Sequence, residues 1–396
     1  MNDIEQNQVG VWIIGGRGFI ATTTIISRLL LQHEEIEPIG LLTCSEYFEN
    51  LPFLDWKSIT FGGCDIHSYS LTKSLEKLIE DHIVPFKFQS HVIDYLRKID
   101  LNIDNIFESL PLEDNLSPKE QIVVCRKYLK RFKEEQKLNK VIVVDLSSTQ
   151  PVTEIEEKLF KFDNWKSLDF FLENTNDYIP WSVIYCTASL LENCAYLNFT
   201  PNIGSELPGL QDLAVQNKLP HAGKDGKTGE TLLKTVLAPM FLYRQMKVLS
   251  WQSYNMLGNN DGSALSNADS KKAKIRSKDS SLRKILINSS DVHSHVAIDY
   301  VPSLGDWKTA MNFVHFEGFL NTRMSLQFTW SGCDTNLAVP LVLDLIRFIE
   351  LAWRSGEYGK LNYLCPYFKS PIGYPEADFR EQISILFAHF ANSRTS

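Results

Sequence analysis

The sequence predicts an α/β fold in which a doubly wound parallel sheet of the Rossmann type carries an inserted α+β domain. Three observations predict it: a strand, a glycine turn and a helix at the start of the chain, a β-branched strand at residues 141–144, and a β-rich middle part. We assign the sheet domain to residues 1–231 and 335–396 and the insertion to residues 232–334.

The composition indicates a globular protein with local sites for anions. The chain has 396 residues, of which 44% are hydrophobic and 22% charged, and its formal net charge is −8. This length favours about two domains. The negative balance argues against a nucleic-acid partner, so a phosphate site would have to be a local basic patch.

The cysteines and the apolar runs indicate the subcellular location of the protein. Seven scattered cysteines without a C-x-x-C pair indicate reduced thiols rather than a disulfide frame or a zinc site, and we find no spacing of metal ligands. Residues 1–9 are polar and acidic, so we expect no signal peptide. No apolar run reaches the roughly 18 residues that a membrane span needs. We therefore expect a cytoplasmic protein with no membrane partner.

The glycine turn is the first candidate binding site. Residues Val9–Ile14 predict a strand, Gly15, Gly16 and Gly18 follow it, and a helical pattern comes next. The spacing G-x-G-x-x-A from Gly16 to Ala21 lets backbone N–H groups and a helix N-terminus hold a pyrophosphate. The alternative is a tight turn that binds nothing, but the strand and helix on either side favour dinucleotide binding.

Asp65 is the candidate for the ribose of that dinucleotide. A second strand is predicted at residues 39–43, and no suitable acid follows it. Asp65 comes after Gly62 and Gly63, which we expect to let the chain turn sharply and present the carboxylate to both ribose hydroxyls. The alternative is that Asp65 caps a helix.

Small hydroxyl residues follow later strands. The strand at 141–144 opens into Ser147, Ser148 and Thr149, at the carboxyl end where a doubly wound sheet binds ligands, although a capping turn explains them equally well. Residues 223–231 lack the spacing of a P-loop. Their lysines and threonines, placed before a helix, could approach a cofactor or simply form a capped helix start.

The stretch 257–278 concentrates the most chemistry. It puts Asn259, Asn260 and Asp261 on a glycine-flanked turn and then brings four lysines and an arginine within a few residues. Such a segment can hold an anion and move protons. For lysines taken singly, the usual alternative is a solvated basic loop.

Five motifs in order resemble the myo-inositol-1-phosphate synthase family, the NAD-dependent cyclases that make inositol phosphate from glucose 6-phosphate. They are G-N-N-D-G at 258–262, lysines at 274 and 278, G-D-W-K at 305–308, C-D-T at 333–335 and Y-F-K-S-P at 367–371. The match extends back through P-G-L at 208–210, A-G-K-D-G-K-T-G-E-T at 222–231 and F-G-G-C-D at 61–65. Phe19 and Ile20 stand where the family has paired asparagines, so pyrophosphate contacts would rely on the backbone.

The resemblance implies the cofactor and the site. We expect NAD to be bound by Gly15, Gly16, Gly18, Phe19, Ile20, Asp65, Ser147, Ser148, Thr149, Thr200, Asp225, Thr228, Asn259, Asn260, Asp261, Gly305, Asp306, Asp334 and Thr335. We expect catalysis by Lys274, Lys278, Lys308, Lys369, Asp261 and Asp306. The two lysines at 274 and 278 have a register that a shift of four residues would exchange. The family's tetramers imply a homo-oligomer built through the insertion.

The implied reaction explains the lysines. Oxidation at C5 acidifies the C6 hydrogens, aldol attack on C1 closes the ring, and reduction at C5 restores the cofactor, so charge develops on oxygens that fixed ammonium groups stabilise. Lys369 and Lys274 would serve the C5 oxygen and its proton. Lys308 and Lys278 would serve the enolate and C1 oxygens or the phosphate, while Asp261 and Asp306 orient them.

Two alternatives stay open from the sequence. One is an NAD-dependent dehydrogenase or cyclase that acts on another sugar phosphate. The other is a non-catalytic relative that binds the cofactor, although such a protein should have lost some of Asp261, Lys274, Lys308 and Lys369, and all four are present.

Overall fold

The computed structural model describes residues 8–105, 116–258, 292–374 and 376–392. The chain forms two compact units. The first unit is Met1–Asp225 with Val339–Asn362, and the second unit is Gly226–Ala338 with Tyr363–Ser396. The domain limits expected from the sequence stay a prediction beside this division.

Strands and helices alternate along the first unit, and strands dominate the middle of the second. In chain order the strands are β1 (Val9–Ile14), β2 (Ile59–Asp65), β3 (Ile103–Asn105), β4 (Lys140–Asp145), β5 (Ala195–Asn198), β6 (Pro220–Gly223), β7 (Lys247–Leu257), β8 (His293–Tyr300), β9 (Trp307–Glu317), β10 (Arg323–Cys333) and β11 (Gly359–Lys360). The helices are α1 (Phe19–Gln32), α2 (Leu71–Glu80), α3 (Gln89–Asp100), α4 (Pro118–Glu135), α5 (Ile155–Leu159), α6 (Trp165–Asn174), α7 (Trp181–Leu191), α8 (Pro208–Gln216), α9 (Gly229–Tyr243), α10 (Asp334–Arg354) and α11 (Phe379–Asn392).

A seven-stranded sheet organises the first unit, and its strand order is β11-β6-β5-β4-β1-β2-β3. Every pairing in it is parallel. Strands β1 and β4 are almost wholly buried apolar runs, as expected for central strands covered on both faces. The strand order reverses between β1 and β4, which is where such sheets bind ligands. The predicted Rossmann-type parallel sheet is confirmed.

A separate mixed sheet organises the second unit, with the order β10-β9-β7-β8. Strand β7 pairs parallel with β8 and antiparallel with β9. Alternate residues of β9 point to opposite faces: Lys308, Ala310, Asn312 and Val314 are buried, whereas Met311 and Phe313 are exposed. Helix α9 packs on the buried face, where Phe241 and Trp251 lie in one apolar cluster.

The strand predicted at residues 39–43 is wrong. Leu42–Cys44 is a turn of 3₁₀ helix instead. The backbone N–H groups of Leu42 and Thr43 both donate to the carboxylate of Asp344, at 2.8 and 3.0 Å. Consecutive N–H groups that meet one carboxylate point the same way, whereas those of a strand alternate, so this contact excludes a strand.

The sharp turn predicted at Gly62 and Gly63 is also wrong, because both lie inside β2. A side chain at Gly63 would overlap the carbonyl oxygen of Ile13 in the neighbouring strand, and one at Gly62 would overlap the ring of Phe132. The two glycines therefore allow close packing around the sheet. Asp65 remains at the end of the strand, and it does not cap a helix, since α2 is capped by Ser70.

Two further findings concern the described parts of the chain. None of the helices there combines the length and the apolar character that crossing a membrane requires. In the same parts, no three histidine, cysteine or acidic side chains gather as metal ligands. All seven cysteines are free thiols, and only Cys44 is exposed.

Candidate active site

The glycine turn of the first unit is held between two strand ends. Gly15 has φ +80°, a conformation that favours glycine, and a Cβ on it would lie 2.9 Å from the carbonyl oxygen of Leu146. The N–H groups of Gly15 and Gly16 donate to the carbonyl oxygen of Cys64 at 2.9 and 3.0 Å. The turn is thus fixed between the end of β2 and the loop after β4.

Helix α1 begins directly after this turn with a free positive end. Gly18 is the N-cap, and within the described chain no side chain caps the helix and no acidic residue occupies its first turn. The first N–H groups of a helix have no partner inside it and carry partial positive charge. The side chains of Phe19 and Ile20 are apolar and cannot bond to a pyrophosphate. Their backbone N–H groups can donate to it, as the sequence predicts.

Asp65 lies beside the glycine turn and is firmly held. Its Oδ2 accepts from the N–H of Arg17 at 2.7 Å and its Oδ1 from the N–H of His67 at 2.9 Å. Arg17 is fixed in turn by an ion pair with Asp100 at 3.1 Å. Each carboxylate oxygen has two lone pairs, so acceptor capacity remains for ribose hydroxyls.

The loops after β4, β5 and β6 form one hydrogen-bonded network. The side chain of Asn202 donates to the carbonyl oxygen of Ser148 at 3.0 Å and to Ser147 Oγ at 3.4 Å. Its N–H donates to Thr200 Oγ1 at 3.1 Å, and the N–H of Asp225 donates to the carbonyl oxygen of Thr200 at 2.9 Å. The structure therefore brings four predicted cofactor residues together, and Thr149 lies exposed in the same loop.

Asn202 was not among the site residues predicted from the sequence. It joins two loops that are 52 residues apart, because its Oδ1 also accepts from the N–H of Gln150 at 2.8 Å. A lone asparagine after Thr200 and Pro201 gives no signal of that contact, since many loop asparagines bond only locally.

These features fit the NAD expected from the sequence. The glycine turn and the N-terminus of α1 suit a pyrophosphate, and Asp65 at the end of β2 suits the adenosine ribose. The loops after β4 and β5 lie beside the point where the strand order reverses. The fit therefore depends on the backbone N–H groups at the start of α1 and on the carboxylate at the end of β2.

Lys308 and Asp334 form the central ion pair of the second unit. The ammonium nitrogen lies 2.6 Å from Oδ1 and 2.7 Å from Oδ2 of Asp334. Lys308 comes from β9 and Asp334 is the first residue of α10, where a negative charge is favourable. Two residues that the sequence placed in different motifs thus meet in one contact.

Asp306 contacts the two residues on either side of Asp334. It is 4% exposed, and its Oδ2 accepts from the N–H of Thr335 and from the thiol of Cys333, both at 3.1 Å. Burial raises the pKa of the Asp306 carboxyl, while these donors oppose the rise. Asp306 therefore contacts the last residue of β10 and the second residue of α10, whereas Lys308 pairs with Asp334. Gly305, with φ +57°, forms the bend before it.

Helix α9 presents its N-terminus to Lys308. Thr228 is the N-cap and makes no side-chain capping bond in the described structure, and Gly229 begins the helix with φ +55°. A Cβ on Gly229 would lie 3.4 Å from Lys308 Nζ and 3.4 Å from the indole nitrogen of Trp330. An ammonium, an indole N–H and a helix N-terminus thus border one space. Trp330 was not among the site residues predicted from the sequence, because a tryptophan in a strand cannot be distinguished there from an ordinary core residue.

The segment that carries Lys369 is attached to the residues just before α9. The N–H of Lys227 donates to the carbonyl oxygen of Tyr367 at 2.8 Å, and Gly226 forms a bridge with Phe368. The Lys227 ammonium is buried and donates to Gln382 Oε1, and burial lowers its pKa to about 8. Lys369 itself is half-buried. Nothing in the sequence distinguishes Lys227 from the other lysines of residues 223–231.

Five predicted site residues lie outside the described residues: Asn259, Asn260, Asp261, Lys274 and Lys278. Their expected roles stay predictions.

Comparison with known proteins gives consistent matches. A profile of an NAD-binding family, described as myo-inositol-1-phosphate synthase, matches residues 9–393. Inositol-3-phosphate synthase 1 of Bacteroides thetaiotaomicron is 29% identical over 389 residues, which are 92% of this chain and 90% of that protein. Inositol-3-phosphate synthase 1 of Populus euphratica is 30% identical over 321 residues, which are 77% of this chain and 62% of the plant protein. The chain thus spans less than two thirds of that plant relative.

A solved structure agrees in fold. The crystal structure of inositol-3-phosphate synthase from Caenorhabditis elegans superposes with a TM-score of 0.79 and 22% identity, over 96% of this chain and 84% of that one. This likeness concerns the fold alone. The profile, by contrast, runs through the glycine turn, the Lys308 region and the Lys369 segment in order. The chain belongs to the myo-inositol-1-phosphate synthase family.

Proposed function

We propose that this chain converts D-glucose 6-phosphate to 1D-myo-inositol 3-phosphate, also named 1L-myo-inositol 1-phosphate. Family membership over residues 9–393 and the names of the curated relatives support the proposal. The structural observation that carries it is the ammonium of Lys308, which borders the start of α9 and is paired with Asp334. A fixed cation beside a helix N-terminus suits both a phosphate and a developing oxyanion.

The reaction joins C1 and C6 of the sugar with no net oxidation. Its steps are oxidation at C5, loss of a C6 proton to an enolate, attack of C6 on the C1 aldehyde, and reduction at C5. NAD supplies the reversible hydride exchange at C5 when it is bound. Each step makes or removes charge on a substrate oxygen, so the contribution of the protein is to hold donors at those oxygens.

The start of α9 is the proposed site of the substrate phosphate. Gly229 has no side chain to fill the space beside Lys308, and Thr228 makes no side-chain capping bond to the first N–H groups of the helix in the described structure. These groups point along the positive end of the helix dipole. An ammonium has three donors, so the pair with Asp334 leaves Lys308 able to meet a phosphate or a C1 oxygen.

Asp306 and Asp334 are proposed to position Lys308. Asp334 contacts the ammonium directly. Asp306 accepts a hydrogen bond from the N–H of Thr335, the residue that follows Asp334. This contact holds the backbone that carries Asp334. Asp306 is in this view a positioning residue. Lys369, Lys274 and Lys278 keep their proposed roles at the C5, enolate and C1 oxygens, and Asp261 its role in orienting them.

We further propose a homotetramer in which the insertion, residues 232–334, contributes to catalysis and subunit contact. The support is the exposed face of the four-stranded sheet. Tyr254 and Met311 are directly paired across β7 and β9, and they are 50% and 47% exposed, with Phe313 at 37% beside them. Contiguous exposed apolar side chains mark protein interfaces. Met311→Asp should reduce the mass in solution, measured by light scattering, and an unchanged tetramer would contradict this assignment.

We also propose a cytoplasmic location, with no nucleic-acid or membrane partner. The free thiols support it, because scattered unpaired cysteines are typical of reducing compartments. The net charge of −8 disfavours nucleic acid.

Product identification tests the activity. The purified protein with NAD and glucose 6-phosphate should yield an inositol monophosphate, identified by nuclear magnetic resonance, with no accumulation of NADH. Stoichiometric release of NADH without a cyclitol would instead assign a sugar-phosphate dehydrogenase. Absence of any product with NAD bound would assign a non-catalytic relative.

A further inference from the structure

The indole N–H of Trp330 is a buried donor with no acceptor among the described residues. An indole nitrogen donates and cannot accept. Buried N–H groups are nearly always paired, because leaving one unpaired costs about 1–3 kcal/mol. The unpaired donor therefore points to a bound acceptor.

Trp330 lies on the same face of the sheet as Lys308. In the antiparallel pairing of β10 with β9, Gly332 is opposite Lys308 and Trp330 is opposite Ala310. Residues opposite one another, and those two further along, share a face. Gly332 has no side chain, which leaves the ammonium and the indole as diagonal neighbours on the side that α9 covers.

The two donors border one space at the start of α9. A Cβ on Gly229 would lie 3.4 Å from each of Lys308 Nζ and Trp330 Nε1. An indole, an ammonium and the N–H groups at the start of a helix all donate hydrogen bonds, so the complementary ligand is rich in acceptors. Asp334 neutralises part of the Lys308 charge, which makes an additional neutral donor valuable for holding an anion.

We propose that Trp330 Nε1 donates a hydrogen bond to the phosphate of the substrate, making Trp330 a binding residue of this reaction. The proposal rests on the proposed function, because it assigns the ligand as a sugar phosphate. The competing role is simple packing, since the Trp330 ring also lies close to Gly332. Packing requires the ring, whereas binding requires the N–H.

The variant Trp330→Phe separates the two roles, since it keeps an aromatic ring and removes the donor. We expect the KM for glucose 6-phosphate to rise about ten-fold, as for a lost hydrogen bond to a charged group, with kcat within about two-fold. The inhibition constant of inorganic phosphate should rise by the same factor. Trp353→Phe, at a half-buried tryptophan of the first unit, is the matched control and should change neither value.

Binding is also measured without turnover. In the full-length, NAD-loaded protein labelled with ¹⁵N-tryptophan, the indole resonance that Trp330→Phe removes should shift when glucose 6-phosphate or inorganic phosphate is added. Glucose at the same concentration should leave it in place. If Trp330→Phe does not fold, Trp330→Leu, which also has no side-chain donor, provides the assignment and the kinetic comparison.

An indole resonance that stays fixed while calorimetry records phosphate binding would overturn the proposal. So would an unchanged KM in Trp330→Phe, or a protein that binds neither phosphate ligand. Failure of the proposed function is distinguishable: a protein that makes no inositol phosphate can still show the phosphate-specific shift, which supports Trp330 as the phosphate donor of a different reaction.

Discussion

The two carboxylate oxygens of Asp334 lie 2.6 and 2.7 Å from the ammonium nitrogen of Lys308, so a single carboxylate receives this lysine on both oxygens. The lysine side chain is 11% exposed and that of Asp334 is 27% exposed. Ion pairs in such partly buried positions are weakly screened by solvent and restrict the lysine to one place. The ion pair with Asp334 therefore determines the position of the Lys308 ammonium group.

Removing the charge of either partner should reduce turnover to different extents. Lys308→Met should lower kcat/KM at least about a hundred-fold, because it deletes the cation. Asp334→Asn keeps the size of the side chain and should lower it about ten-fold by loosening the lysine. Steady-state assays with glucose 6-phosphate measure both. Glu317→Gln, which weakens the ion pair between Glu317 and the exposed Arg323 in the same sheet, is the control. Full activity of Asp334→Asn would contradict the positioning role.

Gly229→Ala should separate backbone strain from site blockage. Alanine at φ +55° costs about 1–2 kcal/mol, and its Cβ would occupy the space between Lys308 and Trp330. Gly356→Ala is the matched control, since φ is +84° there and nothing lies within 4 Å. Denaturant unfolding should show similar losses of stability for both variants, whereas only Gly229→Ala should raise the KM. Equal KM values would show that this space does not receive the substrate.

Asp65→Asn should weaken NAD binding. The carboxylate accepts two backbone N–H bonds and faces the glycine turn, so an amide loses both a charged acceptor for ribose and part of the hold on Arg17. We expect the Kd for NAD to rise about ten-fold, measured by calorimetric titration. Asp55→Asn also removes a carboxylate that accepts a backbone N–H, but at an exposed site, and should leave NAD affinity unchanged.

His221 should make the protein less stable in acid. The side chain is 1% exposed, neither ring nitrogen has a partner among the described residues, and burial lowers its pKa from 6.5 to about 3. Between these values the unfolded chain binds the proton and the folded chain does not, so stability falls as the pH drops from about 6.5 towards 3. One such group contributes a slope of about 1.4 kcal/mol per pH unit.

His221→Leu should remove that slope. Urea unfolding at pH 4.5, 5.5, 6.5 and 7.5 measures it. Above pH 7 the wild-type and variant curves should run parallel, which separates the titration from any change in packing. A variant with the same slope below pH 6.5 would show that His221 does not cause the acid sensitivity.

The features that the sequence predicted correctly are those with a local cause. The glycine turn follows from residues within a few positions of one another, and the parallel strands β1 and β4 follow from short buried β-branched runs. The resemblance to the family added Lys308 and Asp334 as separate motif residues. Their contact became visible only when β9 and the start of α10 were folded together.

The features that were mistaken or missed depend on distant partners. Residues 39–43 contain β-formers, but Asp344, more than 300 positions later, fixes them as a turn. The glycines of β2 resemble turn residues until the ring of Phe132 is packed against them. Trp330 alternates like any strand residue, and only the pairing of β10 with β9 puts its N–H beside Lys308.

The contact between Asp344 and the N–H groups of Leu42 and Thr43 constrains how the chain can be assembled during synthesis. These partners are 302 and 301 residues apart, and strand β11 likewise joins the edge of the sheet from a late position. When the ribosome has made residues 1–225, the first unit still lacks its last strand and the anchor of this turn. We therefore expect the first unit to complete its fold only after residues 339–362 emerge, and a fragment that ends before them to expose the edge of β6.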